Sequence, residues 1–175
     1  MDLGPCLSCN HGTMNDYQTE KATRARAYFL EGYTCSQAIV LAFAEEMQMD
    51  TRQLLLLAAP FGGGMGRLRE VCGAVSGAFM VLGALYGTDI EKNHAAKAAL
   101  YARVQTLAAS IRAQNGSIIC RELLAGIATD VGGAPEARTS EYYKKRPCPQ
   151  IIADVAYLLA EYLQNNPLGK EDTEV

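Results

Sequence analysis

Apolar residues recur at helical spacing along most of the chain, and the first such segment predicts a helix over Asn15–Leu30, ended by Gly32. We expect its buried face to consist of Ala22, Ala25, Phe29 and Leu30. The charged residues that we place on its solvent side are Lys21, Arg24 and Arg26. This first helix is therefore predicted to be amphipathic, with one face against a core.

A second helix is predicted immediately afterwards. Thr34 is followed three residues later by Gln37, a pair that typically caps a helix start. The nearly continuous apolar run over residues 38–44 then predicts a helix that is buried on most sides. A third, short helix is predicted over Thr51–Ala59, because Pro60 cannot continue it.

The middle of the chain contains its longest uncharged stretch, Val71–Thr88. The length approaches that of a membrane span, but four glycines and Ser76 make the stretch weakly hydrophobic for one. We interpret it as part of a buried central helix over Leu68–Tyr86, preceded by a glycine loop at Gly62–Gly66. This loop lacks the Gly-Lys-Ser/Thr ending of a P-loop and follows no predicted strand, so nucleotide binding is not expected.

The second half of the chain is also predicted to be mainly helical. A capping box at Thr88–Glu91 starts a long helix to about Gln114, and a shorter helix is predicted over Ser117–Leu124 with its first residue as the cap. Residues 126–147 are predicted to be mainly loop. The last helix is predicted over Cys148–Leu163, with the cysteine at the N-cap and the following proline at the first helical position.

No strand-like alternation and no repeat of fixed period is found in the sequence. The predicted fold class is therefore all-α: a helical bundle of about five to seven helices around a glycine-rich, buried central helix. We expect a flexible lead-in over residues 1–13, one helical domain over residues 14–165 and a C-terminal tail over residues 166–175.

Composition agrees with a globular protein, since 49% of the residues are hydrophobic and 20% are charged. The net charge is only −3 and no helix carries a stripe of Lys and Arg, so nucleic acid is not an expected partner. The first residues have neither the basic nor the apolar region of a secretory signal. We therefore expect a cytoplasmic protein with reduced thiols and without stable membrane insertion.

Six cysteines are more than such a protein ordinarily has, yet far fewer than a disulfide scaffold needs. Four of them fall at or near predicted helix starts: Cys35, Cys72, Cys120 and Cys148. The partial positive charge of a helix N-terminus stabilises a thiolate, which is both the nucleophilic and the metal-binding form of cysteine. The four could therefore form one metal or redox site if these helix starts converge, and they are buried, inert thiols if the helix starts do not.

Gly73 and Gly77 lie four residues apart on one face of the predicted central helix. Small residues allow a second backbone to approach closely. This spacing is compatible with tight helix packing alone, and also with an approach that brings another cysteine within reach of Cys72.

The N-terminal Cys6 and Cys9 form a CxxC motif with His11 two residues further on. Covalent haem is not expected, because a c-type haem needs the histidine directly after the second cysteine and Asn10 stands there. A secondary metal or redox site at Cys6 and Cys9 stays open, beside the alternative of incidental thiols in the lead-in. His94 is predicted to be a surface or packing residue of a helix.

The segment Cys72–Gly77, together with the glycine loop before it, resembles the signature of the C_GCAxxG_C_C family. That family has one cysteine before the signature, one within it and two after it, and Cys35, Cys72, Cys120 and Cys148 fill these places. The similarity spans about residues 27–163. It implies a helical domain with a redox role inferred from its cysteines. A related domain occurs in split-Soret cytochromes, where an iron–sulfur centre has been suggested; Cys6 and Cys9 lie outside the shared pattern.

Three functional hypotheses follow for the four cysteines. The first is a [2Fe–2S] or [4Fe–4S] iron–sulfur cluster used in electron transfer or redox sensing. The second is metal-free thiol–disulfide exchange, with Cys72 as the candidate nucleophile because of Arg67 and Arg69, and with one of the other three cysteines as its partner. The third is a structural zinc site. The expected partner is an unidentified redox protein; a homodimer and an enzymatic activity both stay open.

Overall fold

The computed structural model describes residues 14–87 and 93–169 of the 175-residue chain. In these two ranges the chain forms nine helices: α1 (Met14–Leu30), α2 (Cys35–Ala42), α3 (Ala44–Met47), α4 (Thr51–Ala58), α5 (Gly73–Tyr86), α6 (His94–Asn115), α7 (Cys120–Leu123), α8 (Ser140–Lys145) and α9 (Cys148–Asn165). A 3₁₀ turn at Ala59–Phe61 and a glycine turn at Gly62–Met65 follow α4. Six of these helices have at least eight residues, so the predicted all-α bundle is confirmed.

Helix α5 lies at the centre of the bundle, with residues 73–78 and most of its later apolar residues buried. Helix α2 packs closely against α5, while α1 packs against α9 and α2, and α6 packs against α5 and α9. The interpretation of the uncharged stretch as a buried central helix is therefore confirmed. Among the helices that the structure describes, none is long and apolar enough to cross a membrane.

Two helix starts in the middle of the chain differ from the prediction. Helix α5 begins at Gly73 and not at Leu68, because Arg67 and Arg69 adopt positive φ angles of 69° and 61° and the chain then runs extended into the helix. Helix α6 begins at His94, and the Asn93 side chain accepts a hydrogen bond from the N–H of Ala96. The capping box predicted at Thr88–Glu91 lies outside the described residues.

Two predicted helix caps in the second half of the chain need correction. Helix α7 has Ile119 as its N-cap, because the Ser117 hydroxyl accepts from the Ile119 N–H and bonds to Glu122 instead of capping the helix. Residues 126–147 are mainly loop, as predicted, apart from the short helix α8. Helix α9 has Pro147 at its N-cap, so Cys148 is its first helical residue.

Lys21 was predicted to face solvent, but only 2% of its side chain is exposed. Its ammonium lies 5.2–5.3 Å from the ring centres of Phe43 and Tyr17 and donates to the carbonyl of Ala42. An ion pair with Glu46 completes its environment. Cation–π contacts and a carboxylate replace the water that a buried ammonium loses, so the charged face of α1 is narrower than its sequence indicates.

Candidate functional site

The four cysteines of the domain all occupy helix starts, as predicted. Cys35, Cys120 and Cys148 are the first residues of α2, α7 and α9, and Cys72 is the N-cap of α5. The predicted capping box of α2 is present, with the Thr34 hydroxyl accepting from the Gln37 N–H and the Gln37 side chain accepting from the Thr34 N–H. It fixes the backbone next to Cys35.

Cys72 and Cys120 are held together by backbone pairing between residues 69–72 and 118–121. The N–H of Cys72 donates to the carbonyl of Ile118 over 2.9 Å, and the N–H of Cys120 donates to the carbonyl of Glu70 over 2.6 Å. Val71 and Ile119 form the corresponding antiparallel bridge. The extended residues before α5, which the sequence predicted to be helical, are therefore what align the second and third cysteines.

The glycine turn brings a further segment against this pair. Gly63 and Gly64 have φ angles of 66° and 71°, which side chains rarely adopt. A Cβ atom on Gly64 would lie 2.6 Å from the Cβ of Cys120, closer than real side-chain atoms pack. Glycine at position 64 is thus required both by its backbone angles and by the position of Cys120.

Cys35 reaches the same place because α2 and α5 cross almost in backbone contact. A Cβ atom on Gly73 would lie 2.7 Å from the carbonyl oxygen of Phe61 and 3.0 Å from the Cβ of Cys35. A Cβ atom on Gly77 would lie 2.8 Å from the carbonyl oxygen of Ser36. Both expectations for these glycines are therefore met: the helices pack tightly, and the tight packing brings Cys35 to the start of α5.

All four cysteines line one cavity of about 270 Å³. Each of the six pairs among their thiols is close enough to interact electrostatically, and the sulfurs of Cys35 and Cys148 are close enough to share a hydrogen bond. All four are free thiols. Four arginines and one acidic residue also line the cavity: Arg67, Arg69, Arg138, Arg146 and Glu136.

The four thiols differ in how readily they ionise. The pKa of Cys35 is lowered to about 7 by the hydrogen bond from Cys148, with support from the charge of Arg138 and the N–H of Gly63. Burial raises the pKa of Cys72. The pKa of Cys148 is raised chiefly because its hydrogen bond to Cys35 keeps its own proton in place.

Cys72 is therefore not the most acidic thiol, contrary to the interpretation based on its neighbours Arg67 and Arg69. The Arg69 guanidinium lies beside Cys120. It lowers the pKa of this thiol, whereas burial raises it. Arg67 points away to the carbonyl of Gly132 and to Glu136. The lowered pKa of Cys35 favours this thiol, and not Cys72, as the nucleophile of any metal-free chemistry.

Comparison of the sequence with models of known families gives a match. The family model described as "Putative redox-active protein (C_GCAxxG_C_C)" matches residues 33–162, which is most of the chain and includes all four cysteines of the cavity. The chain belongs to this family. Neither the curated proteins nor the solved structures compared with the chain gave a match.

The C_GCAxxG_C_C pattern is present here with one local difference. At the signature this chain has Cys72 before Gly73, the reverse of the order in the family's printed name. Both residues contribute to the site in this order: Cys72 lines the cavity, and Gly73 allows α5 to approach Cys35. The N-terminal Cys6, Cys9 and His11 lie outside the matched range and outside the described residues.

The donor set of this C_GCAxxG_C_C protein does not converge on a single point. Within residues 14–87 and 93–169, no group of three or more His, Cys, Asp or Glu side chains is placed to hold one metal ion. A zinc site needs four sulfurs about 2.3 Å from one centre, so this geometry gives zinc no support.

His94 is exposed at the start of α6, in agreement with its prediction as a surface or packing residue.

Sequence reasoning missed two charged residues of the cavity, Arg138 and Glu136. Both lie in the segment before α8 that was predicted to be loop, and they reach the site only through the fold. Arg138 stacks on Phe29 with its guanidinium carbon 4.5 Å from the ring centre. Neither residue belongs to a local sequence motif that would have marked it as part of the site.

Proposed function

We propose that the cavity lined by Cys35, Cys72, Cys120 and Cys148 binds an iron–sulfur cluster and that the protein acts in electron transfer or redox sensing. The observation that carries this proposal is the meeting of all four thiols around one cavity of about 270 Å³. Four cysteine thiolates are the usual ligand set of [2Fe–2S] and [4Fe–4S] clusters. Such a cluster would supply one-electron chemistry, and another redox protein would be its partner.

A cluster does not require the four sulfurs to converge on one centre, whereas a single ion does. In a [4Fe–4S] cluster each cysteine binds a different iron, so the sulfurs surround a volume and do not point at one centre. The backbone N–H groups of Ala74 and Val75 lower the pKa of Cys72, and that of Gly63 lowers the pKa of Cys35. Backbone N–H groups next to the sulfurs favour the thiolate form and would tune a cluster's potential.

The charges around the cavity also suit an anionic group. Ligation requires all four thiols to lose their protons, although burial raises the pKa values of Cys72 and Cys120. Arg69, Arg138 and Arg146 supply positive charge on the cavity wall. Loading is therefore expected to release protons and to be favoured by a reducing compartment such as the cytoplasm, which keeps thiols free.

Purification without oxygen, followed by reconstitution with iron and sulfide, tests this proposal. We expect a brown protein that contains either about two or about four iron atoms per chain with equal sulfide, as the two cluster types require. Visible absorbance and chemical analysis of iron and sulfide measure the result. A preparation that stays colourless and free of iron after reconstitution would rule the cluster out.

A second candidate function is thiol–disulfide exchange between Cys35 and Cys148, favoured by the hydrogen bond between their sulfurs. The Cys35 thiolate would attack a small disulfide, form a mixed disulfide and release one thiolate. Cys148 would then lose its proton and displace the second thiol, which leaves a Cys35–Cys148 disulfide and two reduced thiols. The two electrons pass from the protein to the small disulfide. Only the disulfide state of the pair excludes ligation of a cluster by all four cysteines.

Alkylation of the metal-free protein should follow the acidity of Cys35. We expect its rate of labelling by iodoacetamide to rise with pH through a midpoint near its pKa of about 7, because only the thiolate reacts. The buried Cys72 should label far more slowly. Arg138→Gln should move the midpoint upward, whereas Arg121→Gln, at an exposed arginine paired with Glu70, should leave it in place. Peptide mapping that finds Cys72 labelled first would contradict this assignment.

A further inference from the structure

Three arginines on the wall of the cysteine cavity converge on the carboxylate of Glu136. Its Oε1 atom lies 2.6 Å from Nη2 of Arg146, 3.4 Å from Nη1 of Arg67 and 3.7 Å from Nη2 of Arg69. The side chains of Arg69 and Arg146 are only 4% and 5% exposed, whereas Glu136 is 42% exposed. A half-exposed carboxylate thus lies at the mouth of a site whose cations are buried.

This carboxylate does not satisfy the arginines. All three ion pairs go to one oxygen, Oε1, so one unit of negative charge faces three units of positive charge. Nη2 of Arg69 is buried and has no hydrogen-bond partner within the described parts of the chain. Buried donors are nearly always paired in folded proteins, so an unpaired guanidinium nitrogen beside two further arginines indicates a place for another oxygen atom.

The segment that carries Glu136 is attached to the domain by the same arginines. Nε of Arg67 donates to the carbonyl of Gly132 over 2.8 Å, and Nε of Arg69 donates to the carbonyl of Asp130 over 3.1 Å. Gly132 donates back to the carbonyl of Arg67. These bonds use the Nε atoms and the backbone, so they do not depend on the Glu136 carboxylate or on the terminal guanidinium nitrogens.

We propose that Arg67, Arg69 and Arg146 form a binding site for a small anion, a carboxylate or an oxyanion, for which Glu136 is the internal competitor. Planar guanidinium groups bind such anions through paired, charge-assisted hydrogen bonds. The same cavity continues to the thiols, so an anion bound here is a neighbour of the cysteines. The ligands of this site are arginines and not thiolates, so binding of a small anion can be measured on protein that holds no cluster.

Binding of sulfate and of acetate to the full-length, metal-free chain tests the site. Calorimetric titration and thermal shift are measured at constant ionic strength, with chloride as the balancing anion. Glu136→Gln removes the competitor and should tighten binding of at least one of the two anions about tenfold, in keeping with the strength of one charge-assisted hydrogen bond. Arg146→Gln should abolish that binding. If Arg146→Gln does not fold, Arg67→Gln replaces it in the test, because Arg67 is more exposed.

Glu141→Gln is the matched control, since it removes the same charge nearby from an exposed glutamate that pairs with Lys144. It should bind the anion as the unaltered protein does. If Glu136→Gln and Glu141→Gln tightened anion binding equally, the effect would be one of general charge and the proposal would be overturned. The absence of saturable anion binding in Glu136→Gln would also overturn it. Because the chain is metal-free, iron analysis decides the cluster proposal separately, and either proposal can fail alone.

Discussion

Cys148→Ser is expected to remove nearly all bound iron from protein that is reconstituted without oxygen. Cluster ligands act as a unit, because loss of one leaves an incomplete coordination sphere. Serine is close to cysteine in size, so the metal-free variant should lose only about 1 kcal/mol of folding free energy. The reconstituted variant should therefore melt well below reconstituted wild-type protein, while the two metal-free proteins melt at similar temperatures. Iron analysis and melting curves of both forms measure the effect; Cys72→Ser should behave in the same way.

The matched controls are Cys6→Ser and Cys9→Ser, which alter the two cysteines outside the family pattern. We expect both to keep the iron content and the melting temperature of the unaltered protein. If either proved as damaging as Cys148→Ser, the site would have to include the N-terminal CxxC motif. The assignment of the cofactor to the four cysteines of the cavity would then be wrong.

Gly77→Ala is expected to destabilise the fold by about 3 kcal/mol, at the upper end for an overpacked core. The added Cβ would lie 2.8 Å from the carbonyl oxygen of Ser36 and 3.0 Å from the Cβ of Ile39. A backbone carbonyl cannot rotate away, so α2 must move from α5 and take Cys35 with it. Denaturant unfolding measures the stability loss, and a parallel loss of reconstituted iron would show that the helix contact positions the site.

Gly83→Ala provides the comparison within the same helix. A Cβ at position 83 meets nothing within 4 Å, so this substitution should be neutral or stabilise α5 by up to about 1 kcal/mol through helix propensity. Similar unfolding midpoints for the two alanine variants would contradict the close approach of α2 and α5. The pair separates the effect of packing from that of replacing a glycine in a helix.

Local sequence patterns predicted the parts of this site that depend on neighbouring residues. The capping box of Thr34 and Gln37 and the positions of the four cysteines at helix starts follow from short-range rules, and the structure confirms both. The close approach at Gly73 and Gly77 was also predictable, because small residues four apart mark one helical face.

The parts that were wrong or missed depend on contacts between distant residues. The extended residues before Gly73 are stabilised by pairing with residues 118–121, and no local propensity shows such a partner. Lys21 is buried because Glu46 and two aromatic rings meet it after the helices have packed. Glu136 and Arg138 reach the cavity from a segment whose own sequence predicts loop.

Cys35 and Cys148 are neighbours in the cavity but lie near opposite ends of the domain's sequence, and this separation has a consequence for biosynthesis. Domains acquire structure as the chain emerges from the ribosome, from the N-terminus onward. Cys35, Cys72 and Cys120 are made first, but the hydrogen-bonding partner of Cys35 arrives only with α9, which packs on α1. A nascent chain therefore contains three of the four cavity cysteines before the fourth is made, and the complete cavity exists only once the last helix has docked against the first.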